Sequence, residues 1–146
     1  MSDVLAAFLY GQLEQWQLIQ AKRMAIWNRY DQELASWAKK HGIRQPVVPT
    51  HCEQAYHMYY LLMPSLEART ALIEHLAKHE IKAVFHYLPL NRSAYAVAMA
   101  DGGWRRMDCP VTEDISDRLV RLPFYTSMTE AEQAQVIQTV SSFASK

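Results

Sequence analysis

Glycine and proline are scarce in this 146-residue chain, four and six respectively, and no segment is low in complexity. That excludes a collagen-like repeat and a Gly- or Pro-rich linker. Cysteine is scarcer still: Cys52 and Cys109 stand in no C-x-x-C pair and are too few for the disulfide framework of a small secreted protein. A reduced, cytoplasmic setting is expected. Net charge is absent as well, because 15 Lys and Arg offset 15 Asp and Glu with the signs interspersed. No basic stripe offers itself to a nucleic acid. Nor does any run approach the roughly 18–20 consecutive apolar residues of a membrane span, and the opening MSDVLAAFLYGQLEQW has no basic cluster of the signal-peptide kind. Neither nucleic acid nor membrane is an expected partner.

What is present is half apolar and 11% aromatic, enough for one ordinary core. From Ser2 to about His41 there is no Pro and one Gly, and apolar residues recur at three- and four-residue steps, which predicts helix. Ser2 suits the N-cap and Gly42 the C-terminal stop. Val4, Leu5, Phe8, Leu9 and Leu13 make one stripe, and Ile19, Ile26, Tyr30, Leu34 and Trp37 a second, with Gly11 to Gln15 between them. Two helices or one bent helix fit this pattern. Forty helical residues would reach about 60 Å if straight, longer than a domain of this size needs, so something else is expected to pack on part of the segment. Trp16, Trp27, Tyr30 and Trp37 form an aromatic stripe whose simplest use is core packing on a sheet, with exposure to a partner as the other use.

Beyond the Gly42 to Thr50 turn, AYHMYYLLM (residues 55–63) reads as a buried strand ended by Pro64, and Ser65 caps a helix from Leu66 to about His79. IKAVFHYL (81–88) reads as a second strand, stopped by Pro89. Asn91 to Met107 is ambiguous. A short helix from Thr112 through Leu119, a strand over Val120 to Phe124 and a last helix to about Phe143 complete the order, the last one announced by the Thr129 and Glu132 capping box. Its buried side is expected to be Val136, Ile137, Val140 and Phe143. The fold class is α+β, a small sheet of about three strands covered by helices, with residues 1–42 a helical segment and 43–146 the α+β part of a single domain.

Chemistry-bearing patterns are few. His75 and His79 stand four apart on a helix, a spacing that lets two imidazoles share a metal, but no His-Glu-x-x-His arrangement or third ligand accompanies them. Metal is not expected. Cys109 precedes Pro110 as a packed thiol, and no Gly-x-Ser-x-Gly elbow occurs. Asp114, Asp117, Arg118 and Arg121 have the spacing of solvent-side pairs at a helix end, each worth under about 1 kcal/mol. No catalytic residue is assigned.

The stretches MSDVLAAFLYGQLEQ, AYHMYYLL, HEIKAVFHYLPL, SDRLVRLPFY and TEAEQAQVI, in that order, resemble the C-terminal part of the DegT/DnrJ/StrS-type sugar-nucleotide aminotransferases. These are pyridoxal-phosphate (PLP) enzymes of fold type I, and the resemblance runs from residue 1 to about 143. It implies a larger upstream domain that holds PLP and the Schiff-base lysine, an ancestor in which Met1 is internal, and amino transfer from glutamate to a 4-keto-6-deoxy sugar nucleotide. The products serve lipopolysaccharide and enterobacterial common antigen. The six lysines, Lys22, Lys39, Lys40, Lys78, Lys82 and Lys146, stand near no glycine-rich phosphate loop, so this chain is expected to bind no PLP and to transaminate nothing by itself.

By the same resemblance, the sheet around His57, His86 and Tyr87 borders the sugar-nucleotide pocket. The plainer alternative is that His57 and His86 are hydrogen-bonded strand residues. After Pro-Leu the family continues with His, where this chain has Asn91. The first helix, through Val4, Leu5, Phe8 and Leu9, would face the large domain or a second copy, so a homodimer through that helix is expected. Two other functions fit the residues: a stand-alone interaction or oligomerisation module, and a small sugar- or nucleotide-binding protein using His57 and His86.

Overall fold

The computed structural model describes residues 2–103, 105 and 108–144. Met1, Met107 and Lys146, each used in the sequence reading, lie outside them.

The amino-terminal segment is two helices, α1 (Asp3–Glu14) and α2 (Trp16–Lys40), meeting at Gln15, where the helical hydrogen bonding turns over. The Ser2 side chain accepts the Leu5 amide at 3.4 Å, capping α1. At the far end Gly42 takes φ +66°, the left-handed conformation that glycine adopts without steric cost. That lets the Ile43 amide reach the Ala38 carbonyl (2.9 Å) and the Gly42 amide the Lys39 carbonyl (3.4 Å), a Schellman stop with Ile43 and Ala38 both buried. Only the later turns of α2 are covered: Ile26, Trp27, Tyr30, Leu34, Trp37 and Ala38 recur at helical spacing on one buried face. Trp16 departs from the expected aromatic core stripe. It is 59% exposed, because it lies in the first turn of α2, before the helix meets the sheet.

Three short strands, β1 (Tyr60–Leu62), β2 (Val84–Phe85) and β3 (Leu119–Arg121), form an antiparallel sheet in the order β1-β3-β2. Leu61 and Phe85 both lie opposite Val120, and Tyr60 and Val84 both lie opposite Arg121. The strands are shorter than the sequence suggests, since pairing extends only as far as central β3 does. Arg44 adds one bridge to Leu62 at the sheet edge.

Around the sheet stand α3 (Leu66–Ala77), α4 (Ala94–Asp101), α5 (Pro110–Arg118) and α6 (Glu130–Ser142). Ser65, Ser93 and Thr129 cap α3, α4 and α6 through their side-chain oxygens, and α6 has the full capping box with Glu132. α5 starts at Pro110, earlier than expected, because proline's fixed φ suits the first helical position. The ambiguous stretch resolves into a 3-10 turn, Leu90–Arg92, followed by α4, which has no buried residue. One core joins α2, α3, α6 and the sheet, with Tyr30, Leu34, Tyr59, Leu61, Met63, Leu72, Leu76, Val120 and Val140 fully enclosed. Two polar side chains at it are paired across the fold: Gln133 Nε2 donates to the Ile26 carbonyl at 2.7 Å and Trp37 Nε1 to the Phe143 carbonyl at 3.0 Å. The architecture is the expected α+β layer. Among the described residues no helix is long and apolar enough to cross a membrane.

Candidate functional site

His86 and Tyr87 follow β2 directly, where the chain leaves the sheet toward Pro89. The two rings lie 4.4 Å apart, Tyr87 standing 68% exposed while His86 is half-buried. They open onto a cleft of about 370 Å³ whose other wall is α5, through Val111, Thr112, Ile115 and Ser116. The wall is held to α5 at two points. Ser116 Oγ donates to the Tyr87 carbonyl at 2.7 Å. Beyond the cleft, Arg92 pairs with Glu113 (2.8 Å) and with Asp117 (3.0 Å), while Glu113 Oε1 also accepts the Asn91 side chain at 2.6 Å and the Cys109 amide at 3.2 Å. The Cys109 amide, then Asn91 and Arg92, hold the Glu113 carboxyl below its ordinary value.

His57 is exposed and lies in the lead-in to β1. Its position is set by Tyr56, whose φ of +47° is unusual for a side-chain-bearing residue and is held by an edge-on contact with Trp27 at 5.8 Å. Gln20 Nε2 of α2 donates to the Ala55 carbonyl at 3.0 Å, fastening the same loop. His57 and His86 are brought within electrostatic reach: burial, then Arg121, then His57 push the His86 imidazole below its ordinary pKa. The His86 Nδ1 atom is covered and has no partner among the described residues.

Val4, Leu5, Phe8 and Leu9 are 79, 59, 70 and 45% exposed, and α1 buries none of its residues. None of these residues lines the His86 cleft. The His75 and His79 rings lie 4.8 Å apart, tilted by 50°, with His75 Nε2 3.1 Å from the Thr139 carbonyl and His79 Nδ1 2.9 Å from the His75 carbonyl. Each ring is engaged in holding the fold. Among the described residues no group of three or more His, Cys, Asp or Glu is placed to hold a metal. Cys52 and Cys109 are free thiols. A wider cleft, about 530 Å³ between α2 and the start of α6, includes Lys22 and Arg29, but Arg29 is already engaged by Glu33 and the Glu130 carbonyl.

The expected charge constellation divides. Arg118 pairs with Asp114 and Asp117 with Arg92, a partner 25 residues away that spacing along one helix does not reveal; Arg121 joins neither. Pyridoxal phosphate needs a desolvated lysine amine, and Lys22, Lys39, Lys40, Lys78 and Lys82 are all exposed. The described residues do not fit that cofactor. What the cleft offers chemically is hydrogen bonding and ring stacking, with no base placed beside a nucleophile.

Residues 1–141 match the sequence profile of the DegT/DnrJ/EryC1/StrS aminotransferases. A protein of Methanocaldococcus jannaschii is 28% identical over the whole chain, which covers 37% of it. The dTDP-3-amino-3,4,6-trideoxy-alpha-D-glucose transaminase of Micromonospora megalomicea is 28% identical over 96% of the chain and 36% of its own length. A sugar aminotransferase of Streptococcus pneumoniae, solved in apo, PMP and PLP forms, superposes with a TM-score of 0.81 at 26% identity, over 97% of this chain and about a third of that one. The chain thus spans about a third of the length of the curated relatives it matches. By its sequence over nearly all its length, and by its fold, the chain belongs to the DegT/DnrJ/EryC1/StrS aminotransferase family.

Proposed function

We propose that this chain is the C-terminal small domain of a cytoplasmic, PLP-dependent sugar-nucleotide aminotransferase and has no activity by itself. In the whole enzyme it closes over the domain that holds the cofactor and supplies one wall of the sugar pocket. His86 and Tyr87, with His57 near them, face a dTDP-linked 4-keto-6-deoxyhexose destined for lipopolysaccharide or common-antigen sugars. Val4, Leu5, Phe8 and Leu9 dock on the large domain or on a second copy in a homodimer. PLP belongs to the large domain, where it supplies the electron sink for amino transfer. This chain contributes enclosure and hydrogen bonds.

The carrying observation is the His86–Tyr87 wall, braced to α5 by Ser116 and ending in an exposed phenol ring at a cleft mouth. Ligand pockets are apolar clefts with a few placed polar groups, and this one has that make-up. Two curated relatives are named as transaminases of dTDP-3-amino sugars, which supports a dTDP-linked sugar, while the 4-keto position rests on the sequence resemblance alone.

A direct test grafts the chain into the Streptococcus pneumoniae relative in place of the third that it matches. The hybrid is expected to transfer an amino group to a dTDP-keto sugar, and Y87A in it to raise KM more than it lowers kcat. The chain alone, incubated with PLP, is expected to develop no visible band of a lysine-bound cofactor. Such a band, or a hybrid indifferent to Y87A, overturns the reading. The exposed stripe of α1 favours a second reading, a stand-alone oligomerisation module, for which the chain alone would form a stable dimer and the hybrid would be inactive.

A further inference from the structure

The face of the sheet turned away from the core carries an arginine that no described residue neutralises. Val120 is fully buried, so strand alternation turns its neighbour Arg121 to the other side. Arg121 lies directly opposite Tyr60 on one flank and Val84 on the other, and cross-strand partners point the same way. Continuing the alternation from Val84 brings His86 to that side as well. Arg92 and Arg118 each hold a carboxylate. The Arg121 backbone belongs to both ladders of the sheet, but its side chain makes no hydrogen bond or ion pair with any described residue.

Arg121 and His57 each stand near enough to His86 to act on its imidazole. Three basic groups converge with no acid among their described partners, and one of them has a covered nitrogen, Nδ1, with no partner. Groups of like sign held together repel one another, and an unpaired buried polar atom adds to the cost. An anion seated among them offsets the repulsion. Arginine's planar fork suits two oxygens of one carboxylate or phosphate, and with Nδ1 covered, His86 has Nε2 to offer. The Tyr56 backbone and the Gln20 contact hold the His57 loop in place before any ligand arrives.

We propose that Arg121, His57 and His86 form an oxyanion-recognition site on the outer face of the sheet, taking a phosphate or a carboxylate. It rests on the reading of His86 as a ligand-facing residue. Arg121 is the anchor, and the two imidazoles complete the hydrogen bonding.

The test titrates the 146-residue chain separately with dTDP, L-glutamate and inorganic phosphate, following heat and the NMR ring signals of His57 and His86. At least one of the two organic probes is expected to saturate and to move both rings. R121Q is expected to weaken it about tenfold or more, and R121K to recover only part of that, because an ammonium has no fork. K39Q, the same charge change on α2, should leave binding as it was, and unchanged near-ultraviolet circular dichroism checks that each variant folds. Response to dTDP but not glutamate identifies a phosphate, and the reverse identifies an amino-acid carboxylate. Response to inorganic phosphate alone means an adventitious ion only and overturns the site, as does silence of both rings with every probe. Binding that R121Q leaves intact overturns it too, without touching the His86–Tyr87 cleft. Arg121-dependent binding of dTDP in a chain whose hybrid ignores Y87A would instead sink the cleft reading and leave the anion site standing.

Discussion

Tyr30 of α2 and Tyr59, the residue before β1, stack with ring centroids 5.2 Å apart and planes tilted by 28°, both fully buried. Trp27 meets Tyr59 edge-on at 5.5 Å. The hydroxyls are spent on different partners: Tyr30 donates to the Pro123 carbonyl at 2.9 Å, whereas Tyr59 accepts from Gln45 Nε2 at 2.8 Å and donates to Asp31 at 3.3 Å. Burial is the main cause that pushes both hydroxyl pKa values up. The helical segment and the sheet therefore share one core through two phenols that stay protonated.

That division of partners predicts unequal losses. Y30F leaves the Pro123 carbonyl without this donor and is expected to destabilise by about 1–2 kcal/mol. Y59F should cost about 1 kcal/mol or less, since Gln45 Nε2 keeps its bond to the Asp31 carbonyl at 2.8 Å. Urea midpoints of the two variants, at equal m-value, check the order.

Glu113 ties the turn after β2 to α5, and its folded-state pKa is depressed by the Cys109 amide first, then Asn91 and Arg92. Its contribution is complete above its ordinary value of 4.5 and is lost as pH falls through the lower folded value. E113Q should unfold at lower urea than the parent at pH 7, and the two curves should converge in acid. Faster exchange of the Tyr87 and Leu88 amides in E113Q would show that the brace reaches the cleft wall.

His86 titrates with the same sign, in a higher pH window. Its folded pKa lies below the ordinary 6.5, chiefly by burial and then through Arg121 and His57, so the unfolded chain binds the proton more readily. Stability is expected to fall as pH drops through 6.5 toward the folded value and to level off below it. R121Q should move the NMR midpoint of His86 up only partway, because burial remains.

Phe8 is 70% exposed on a helix that buries none of its residues. Apolar stripes of this kind seek cover. Sedimentation at rising concentration should show self-association of the chain, and F8E should abolish it without changing the melting temperature. A parent that stays monomeric throughout would remove the homodimer through α1 and leave the large domain as its partner.

The helix ends were readable because capping acts over three or four residues. Ser2, Ser65 and Thr129 cap as expected, Gly42 stops α2, and Pro64 stands just past β1. The alternative of two helices was also visible, in the change of stripe across Gly11 to Gln15. Less legible was Trp16: helical period says which residues share a face, but only the arrival of the sheet says which turns of that face are covered. The ambiguous 91–107 stretch hid α4, an Ala-rich helix with no buried side to give it a period. For the site, the sequence named His57, His86 and Tyr87, and the fold brought the first two within electrostatic reach of each other. It could not show that Arg92 belongs to Glu113, 21 residues on, or that the Arg121 side chain lacks, among the described residues, the partner that its spacing suggested. Caps, stops and stripes are local chemistry, set by neighbours along the chain. Which charges pair and which stay bare is decided by strand register and helix packing, which join residues far apart in sequence.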